Sequence, residues 1–177
     1  MGTLGRSAAL LLCLAACARG GDGLPEIQTQ IEAAMPAVEH VTAAELDGMD
    51  DPLLFDVRSE AEFAVSRLPG AVRVDPDMDA DAFLAAHGQA AAGRTLVFYC
   101  SVGWRSSGLA DRVGPALAEA GGRAVNLRGG AFGWVNEGRM LSGPDGPTGR
   151  VHAYDRVWGR LIEDEDARVL PDGGIAR

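Results

Sequence analysis

Short apolar runs alternate with helical patterns along most of this chain, and that alternation restricts the fold more than any other feature. Leu53–Val57, Val72–Val74, Thr95–Tyr99 and Ala124–Leu127 read as strands: they are short, apolar or β-branched, and bounded by turn residues. Between them lie segments with helical punctuation. Ser59 with Glu62 three residues on has the capping-box pattern, Asp79–His87 reads as a helix, and Ser106–Ala120 carries Leu109, Val113 and Leu117 on one face before Gly121-Gly122 closes it. Upstream, Ile27–Met35 reads as a short helix ended near Pro36, Val38–Val41 as an edge strand, and Thr42 with Glu45 as another capping box. Strands separated by helices require crossover connections. The predicted fold is therefore α/β, a mostly parallel sheet flanked by helices on both faces. Ligands of such sheets bind beyond the carboxyl ends of the strands.

At one such end stands YCSVGWRSS, residues 99–107. Cys100 follows the strand, and Cys100–Arg105 reads as a six-residue loop into the next helix. A thiol becomes a nucleophile where something stabilises its thiolate. Three sources converge here: the backbone amides of Ser101, Val102, Gly103, Trp104 and Arg105, the positive end of the following helix, and the Arg105 guanidinium. Gly103 allows the chain to turn back sharply. Such a cradle suits a thiolate and equally a persulfide whose outer sulfur sits among the amides.

The remaining cysteines fall outside the predicted domain. Met1–Arg6 is a short positive start, Ala8–Leu14 an apolar core, and Leu14-Ala15-Ala16-Cys17 follows. An apolar stretch this short cannot anchor a protein by spanning a bilayer, so it reads as a cleaved export signal. The tetrapeptide resembles the bacterial lipobox, which implies cleavage before Cys17 and its acylation; the alternative is a plain secretory signal with Cys17 left as a spare thiol. The expected organisation is a lipoprotein signal at 1–16, a tether at 17–25, a domain at 26–142 and a C-terminal extension at 143–177 packed on the domain. That extension opens Gly/Pro-rich, then spaces Tyr154, Trp158 and Leu161 in near-helical fashion before the acidic run Glu163–Asp166, which reads as a solvated face. With Cys13 leaving in the signal and Cys17 carrying lipid, Cys100 has no disulfide partner and no zinc ligand set. No metal and no organic cofactor is expected. The net charge of −9 argues against nucleic acid as a partner.

Four stretches taken in order carry a resemblance: LLFDVRSEAEF at 53–63, LPGAVRV at 68–74, CSVGWRS at 100–106 and NLRGGAFGW at 126–134. The chain resembles the single-domain rhodaneses from about Val38 to Gly138. The resemblance implies a sulfurtransferase that moves a sulfane sulfur from thiosulfate or a persulfide to a thiol or cyanide through Cys100. Its partners are then a small sulfur donor, a thiol acceptor and, through the lipid, a membrane; no protein partner is indicated. Two other readings compete: a membrane-tethered persulfide carrier or binding module with little turnover, and a cysteine phosphatase. Phosphatase loops of this general kind place one residue more between Cys and Arg than the four found here, and the shorter ring suits one sulfur better than a tetrahedral phosphate.

Two departures from the family pattern matter. Ser101 stands where rhodaneses often carry Arg, which leaves Arg105 as the main cation for an anionic donor, and Ser66-Arg67-Leu68 replaces the usual Gly-His-Ile. Asp56 and Arg58 are expected to shape the site through hydrogen bonds and ion pairing. Trp104 either lines the mouth or covers a neighbouring loop. Gly129-Gly130 reads as a tight turn with Trp134 packed beneath, and His40, His87 and His152 show no ligand or base pattern. With Ala18 rather than Asp after Cys17, the resemblance to bacterial lipoproteins implies a place in the cell envelope, at the outer membrane facing the periplasm. The substitution Cys17→Ser is expected to move the protein from the membrane to the soluble fraction of a cell extract. Unchanged partitioning would remove the anchor.

Overall fold

The computed structural model describes residues 23–171, so the expected signal, Cys13, Cys17 and most of the tether lie outside the described residues. Five parallel strands form the central sheet: β1 (Glu39–Val41), β2 (Leu53–Asp56), β3 (Val72–Arg73), β4 (Thr95–Tyr99) and β5 (Arg123–Leu127), in the order β1-β5-β4-β2-β3. The alternation read from the sequence is thus the one built, with β1 at an edge and β4 in the middle. Around the sheet run α1 (Leu24–Ala34), α2 (Ala43–Asp47), α3 (Glu60–Val65), α4 (Ala80–Ala91), α5 (Trp104–Glu119) and α6 (Gly130–Asn136). Both capping boxes form, Thr42 with Glu45 and Ser59 with Glu62, and Asp79 caps α4 through the Ala82 amide.

Several boundaries differ from the sequence reading: α4, expected to end at His87, runs on to Ala91. Helix α1 begins at Leu24, because Pro25 near its start lacks an N–H that the first turn could not have bonded; residues 24–25 are therefore helix rather than tether. Helix α5 begins at Trp104 rather than Ser106, with Gly103 as its cap at φ +103. The strand-to-helix loop shrinks to Cys100–Gly103, and Trp104 and Arg105 belong to the first helical turn. In the extension, the Gly/Pro-rich stretch forms a hairpin, β6 (Leu141–Gly143) against β7 (Gly146–Thr148). Beyond it, β8 (Val151–His152) pairs in parallel with β9 (Arg168–Val169). Tyr154 is not helical but left-handed (φ +65), while Trp158–Leu161 and Glu165–Ala167 form short 3-10 turns. Glu163–Asp166 is exposed, as expected of a solvated run. Among the described residues, no helix is long and apolar enough to cross a membrane.

Alternation along β4 sends its side chains to two cores. Leu96, Phe98 and Cys100 face a cluster with Phe55, Val57, Phe83, Leu109, Val113 and Leu117 under α4 and α5. Val97 and Tyr99 face the opposite cluster with Ile27, Ile31, Val125, Leu127 and Phe132, which also takes in Val151, Ala153 and Ile162 from the extension. Cys100 therefore continues the phase of a buried strand and is itself buried.

The register of β2 on β4 sets Asp56 beside Tyr99. The Tyr99 hydroxyl donates to Asp56 Oδ2 (2.7 Å) and accepts from the Leu68 amide (3.0 Å). Arg58 is wholly buried, pairs with Asp56 through Nε and Nη2 (2.9 and 2.7 Å), and donates from Nη2 to the Ser66 carbonyl (2.6 Å). The segment 66–68 thus supplies backbone partners to this network, which accords with a structural part for its unusual residues. Replacing Arg58 by Met leaves a buried carboxylate without its cation and should cost about 3–5 kcal/mol in urea unfolding. The double variant Asp56→Asn, Arg58→Met should cost less than Arg58→Met alone; the reverse order would show that the pair is not the feature that matters.

Candidate functional site

In a trans peptide unit the C=O and the following N–H point in opposite directions, so whatever ties down a carbonyl also aims the next amide. The loop carbonyls are all tied on the side away from the thiol. Cys100 O accepts from the Ala131 amide (2.8 Å) and Ser101 O from the Phe132 amide (2.9 Å), both at the start of α6. Val102 O accepts from Gln28 Nε2 (2.7 Å), while Gln28 Oε1 accepts from the Gly129 amide (2.9 Å). The amides of Ser101, Val102 and Gly103 are thereby turned to the thiol side, and Gly103 N–H donates to Cys100 Sγ at 3.1 Å. The approach of α6 requires Gly130: at its φ of +55, a Cβ would lie 2.3 Å from Cys100 O.

Burial works against ionising the thiol, yet its pKa lies below the ordinary thiol value. The Arg105 guanidinium, the Ser106 amide and hydroxyl, and the Val102 amide outweigh the burial. The Ser106 hydroxyl is buried and has no other partner. The pull on the thiolate thus comes from Val102, Gly103, Ser106 and Arg105 rather than evenly from 101–105. Ser106 enters because α5 starts early enough for its third residue to face the sulfur.

Arg105 is not a free cation at the rim. Nη1 donates to Glu62 Oε2 (3.1 Å), and Nη2 donates to Glu62 Oε1 (2.8 Å) and Ser101 Oγ (3.1 Å). Ser101 Oγ in turn donates to Glu62 Oε1 (2.7 Å). Glu62 Oε2 also accepts from the Ser59 amide (2.9 Å) and hydroxyl (2.8 Å), so one carboxylate caps α3 and clamps the loop arginine. Burial would raise the Glu62 pKa, but Arg105, Ser59 and Ser101 hold it at about 2. The pairing in turn raises the Arg105 pKa despite burial, with the Cys100 thiolate the largest contributor.

Of the other residues singled out in the sequence, Asp56 and Arg58 bond to each other, Tyr99 and Ser66, with no hydrogen bond to Cys100. Val102 is buried, and Trp104 packs half-buried against the apolar cluster that contains it. The extension reaches the site in a way the sequence did not signal: the Tyr154 ring lies over Arg105 (5.5 Å), and the Tyr154 amide donates to His152 Nδ1 (3.0 Å). Glu62 and Gln28 were also missed, the first because its capping role accounted for it. Nothing in the local sequence marked Gln28. Among the described residues, no group of three His, Cys, Asp or Glu side chains is placed to hold a metal ion. An open groove of about 380 Å³ between α1, α6 and Arg128 shares Gln28 and Gly129 with the loop support but does not include Cys100.

Residues 42–137 match the family described as a rhodanese-like domain. A sulfurtransferase of Allochromatium vinosum is 29% identical over 97 residues, 55% of this chain and 84% of that protein. The thiosulfate sulfurtransferase structure from Pseudomonas aeruginosa aligns over 77% of this chain and 25% of its own, with a TM-score of 0.50 at 19% identity. A rhodanese-like domain protein from Staphylococcus aureus aligns over 55% of this chain and 91% of its own, with a TM-score of 0.41 at 24% identity. At its identity the Pseudomonas aeruginosa structure bears on the fold alone.

The Glu62 carboxyl has a folded pKa of about 2 against an ordinary 4.5. A depressed acid stabilises the fold fully above its unfolded pKa and loses that contribution as pH falls toward the folded one. Glu62→Gln should therefore be less stable than wild type near neutrality, with the gap narrowing across the acid range from about pH 5 to pH 2. Parallel acid limbs in urea titrations would assign the transition to other carboxyls.

Proposed function

The chain belongs to the rhodanese-like domain family, and we propose that it is a sulfurtransferase working through a persulfide on Cys100. The observation that carries this reading is the Gly103 N–H donated to Cys100 Sγ at 3.1 Å, within a loop whose carbonyls are all bonded elsewhere. Fixed dipoles of this kind stabilise a thiolate and, after transfer, the outer sulfur of a persulfide, without reorganising during the reaction. The Cys100 thiolate attacks the sulfane sulfur of a donor, forming a Cys100 S–S bond as the donor's S–S bond breaks. Sulfite leaves from thiosulfate, and a thiolate leaves from an organic persulfide. In the second step an acceptor thiolate or cyanide attacks the outer sulfur and Cys100 departs as thiolate. The sulfane sulfur keeps its oxidation level throughout, so neither step needs an external oxidant or reductant. Lipid attachment at Cys17 would hold this activity at the periplasmic side of the outer membrane.

Intact mass spectrometry after incubation with a sulfane-sulfur donor should show one added sulfur, located on Cys100. Cys100→Ser should show none and should transfer no sulfur to cyanide while unfolding at the same urea concentration as wild type. Undiminished transfer by that variant would remove Cys100 as the nucleophile.

A further inference from the structure

Arg105 is the cation that an anionic donor would seek, and the protein has already engaged it. Both terminal nitrogens of its guanidinium bond to Glu62, and Nη2 also bonds to Ser101. Glu62 is only 1% exposed and is held from behind by the Ser59 amide and hydroxyl, so it cannot swing away without uncapping α3. Tyr154, with its backbone in the left-handed region, lays its ring over the same guanidinium. Two further titratable groups near the loop add little net charge. Arg58 is paired with Asp56, and burial keeps His152 toward its neutral form. Among these buried groups, Arg105 cancels Glu62 and Arg58 cancels Asp56, which leaves the thiolate of Cys100 as the uncancelled charge. The chain's net charge of −9 has the same sign at longer range.

Resting on the sulfurtransferase reading, we infer that this site takes its sulfur from persulfides carrying little or no net negative charge, and that Glu62 makes the thiosulfate dianion a poor donor. The step is attack by the Cys100 thiolate on the outer sulfur of R–S–SH. The donor S–S bond breaks, the new bond joins Cys100 Sγ to that sulfur, and R–S⁻ leaves to be protonated by solvent. Glu62 is a specificity residue here: it acts by withholding Arg105.

The test compares the rate of sulfur loading on Cys100 from thiosulfate with that from the persulfide of cysteamine, whose ammonium leaves it neutral overall or cationic. Loading is read by intact mass. Wild type should favour cysteamine persulfide, and its loading from thiosulfate should rise with added inert salt as repulsion is screened. Glu62→Gln, which keeps an acceptor for the capping box, should shift the donor ratio toward thiosulfate by about tenfold or more, the scale of one charge-assisted hydrogen bond. Equal loading from both donors in wild type, or thiosulfate loading that falls with salt, would overturn the inference while leaving the Cys100 persulfide intact. So would a folded Glu62→Gln variant with an unchanged donor ratio. No loading from either donor would instead overturn the sulfurtransferase reading, and this inference with it. The salt dependence needs no variant, so misfolding of Glu62→Gln would not remove the test.

Discussion

The orientation of three peptide units, those joining Cys100 to Gly103, is the constraint on which the rest of this site depends. An unbonded loop would share its carbonyls with solvent and let its amides average over many directions. Here the amides of α6 and the side-chain amide of Gln28 hold the three carbonyls on one side, which leaves the N–H groups on the other. The start of α6 therefore does two things: its unpaired first amides find acceptors, and those acceptors orient the loop. The close approach admits no side chain at Gly130. The sulfur then sits where a strand ends, a long helix begins and the loop amides converge.

A second tie operates from the neighbouring strand. The β2–β4 register brings Asp56 under the Tyr99 hydroxyl, and Arg58 closes the group against the Ser66 carbonyl. Removing both charges from water is costly, and close pairing with several hydrogen bonds is what makes their burial tolerable. The network leaves the sulfur untouched. It fixes the residue immediately before Cys100, so the loop departs from a strand end that cannot rotate.

The charge at the site follows from Glu62. Its position at the start of α3 suits a cap, and its reach from there suits the first turn of α5. The single carboxylate thus joins two helix starts and neutralises the cation beside the thiol. Arg105 still lowers the thiol pKa, since a paired guanidinium keeps its charge, but both its terminal nitrogens are engaged by Glu62. The extension adds Tyr154 above and His152 beside this pair, so residues far along the chain help to set the polarity around the sulfur.

Local patterns in the sequence were enough for the α/β class, the strand runs, three helix starts and the thiol at a strand's carboxyl end. Each rests on near neighbours: periodicity over a few residues, a cap and its partner three positions on, a cysteine directly after β4. The start of α5 was misjudged because a glycine cap and the paired Trp104-Arg105 carry no local capping signal. The Gly/Pro-rich stretch gave no strand expectation, because its turn residues make a hairpin only once Leu141 and Thr148 have paired. By itself, the sequence determined where the thiol stands and which loop and cation accompany it. The tertiary structure decided which way the loop amides face, that Arg105 is bound to Glu62, and that Tyr154 covers it. Those depend on contacts between residues up to 101 positions apart, such as Gln28 with Val102 and with Gly129, and no periodicity or spacing along the chain encodes such pairings.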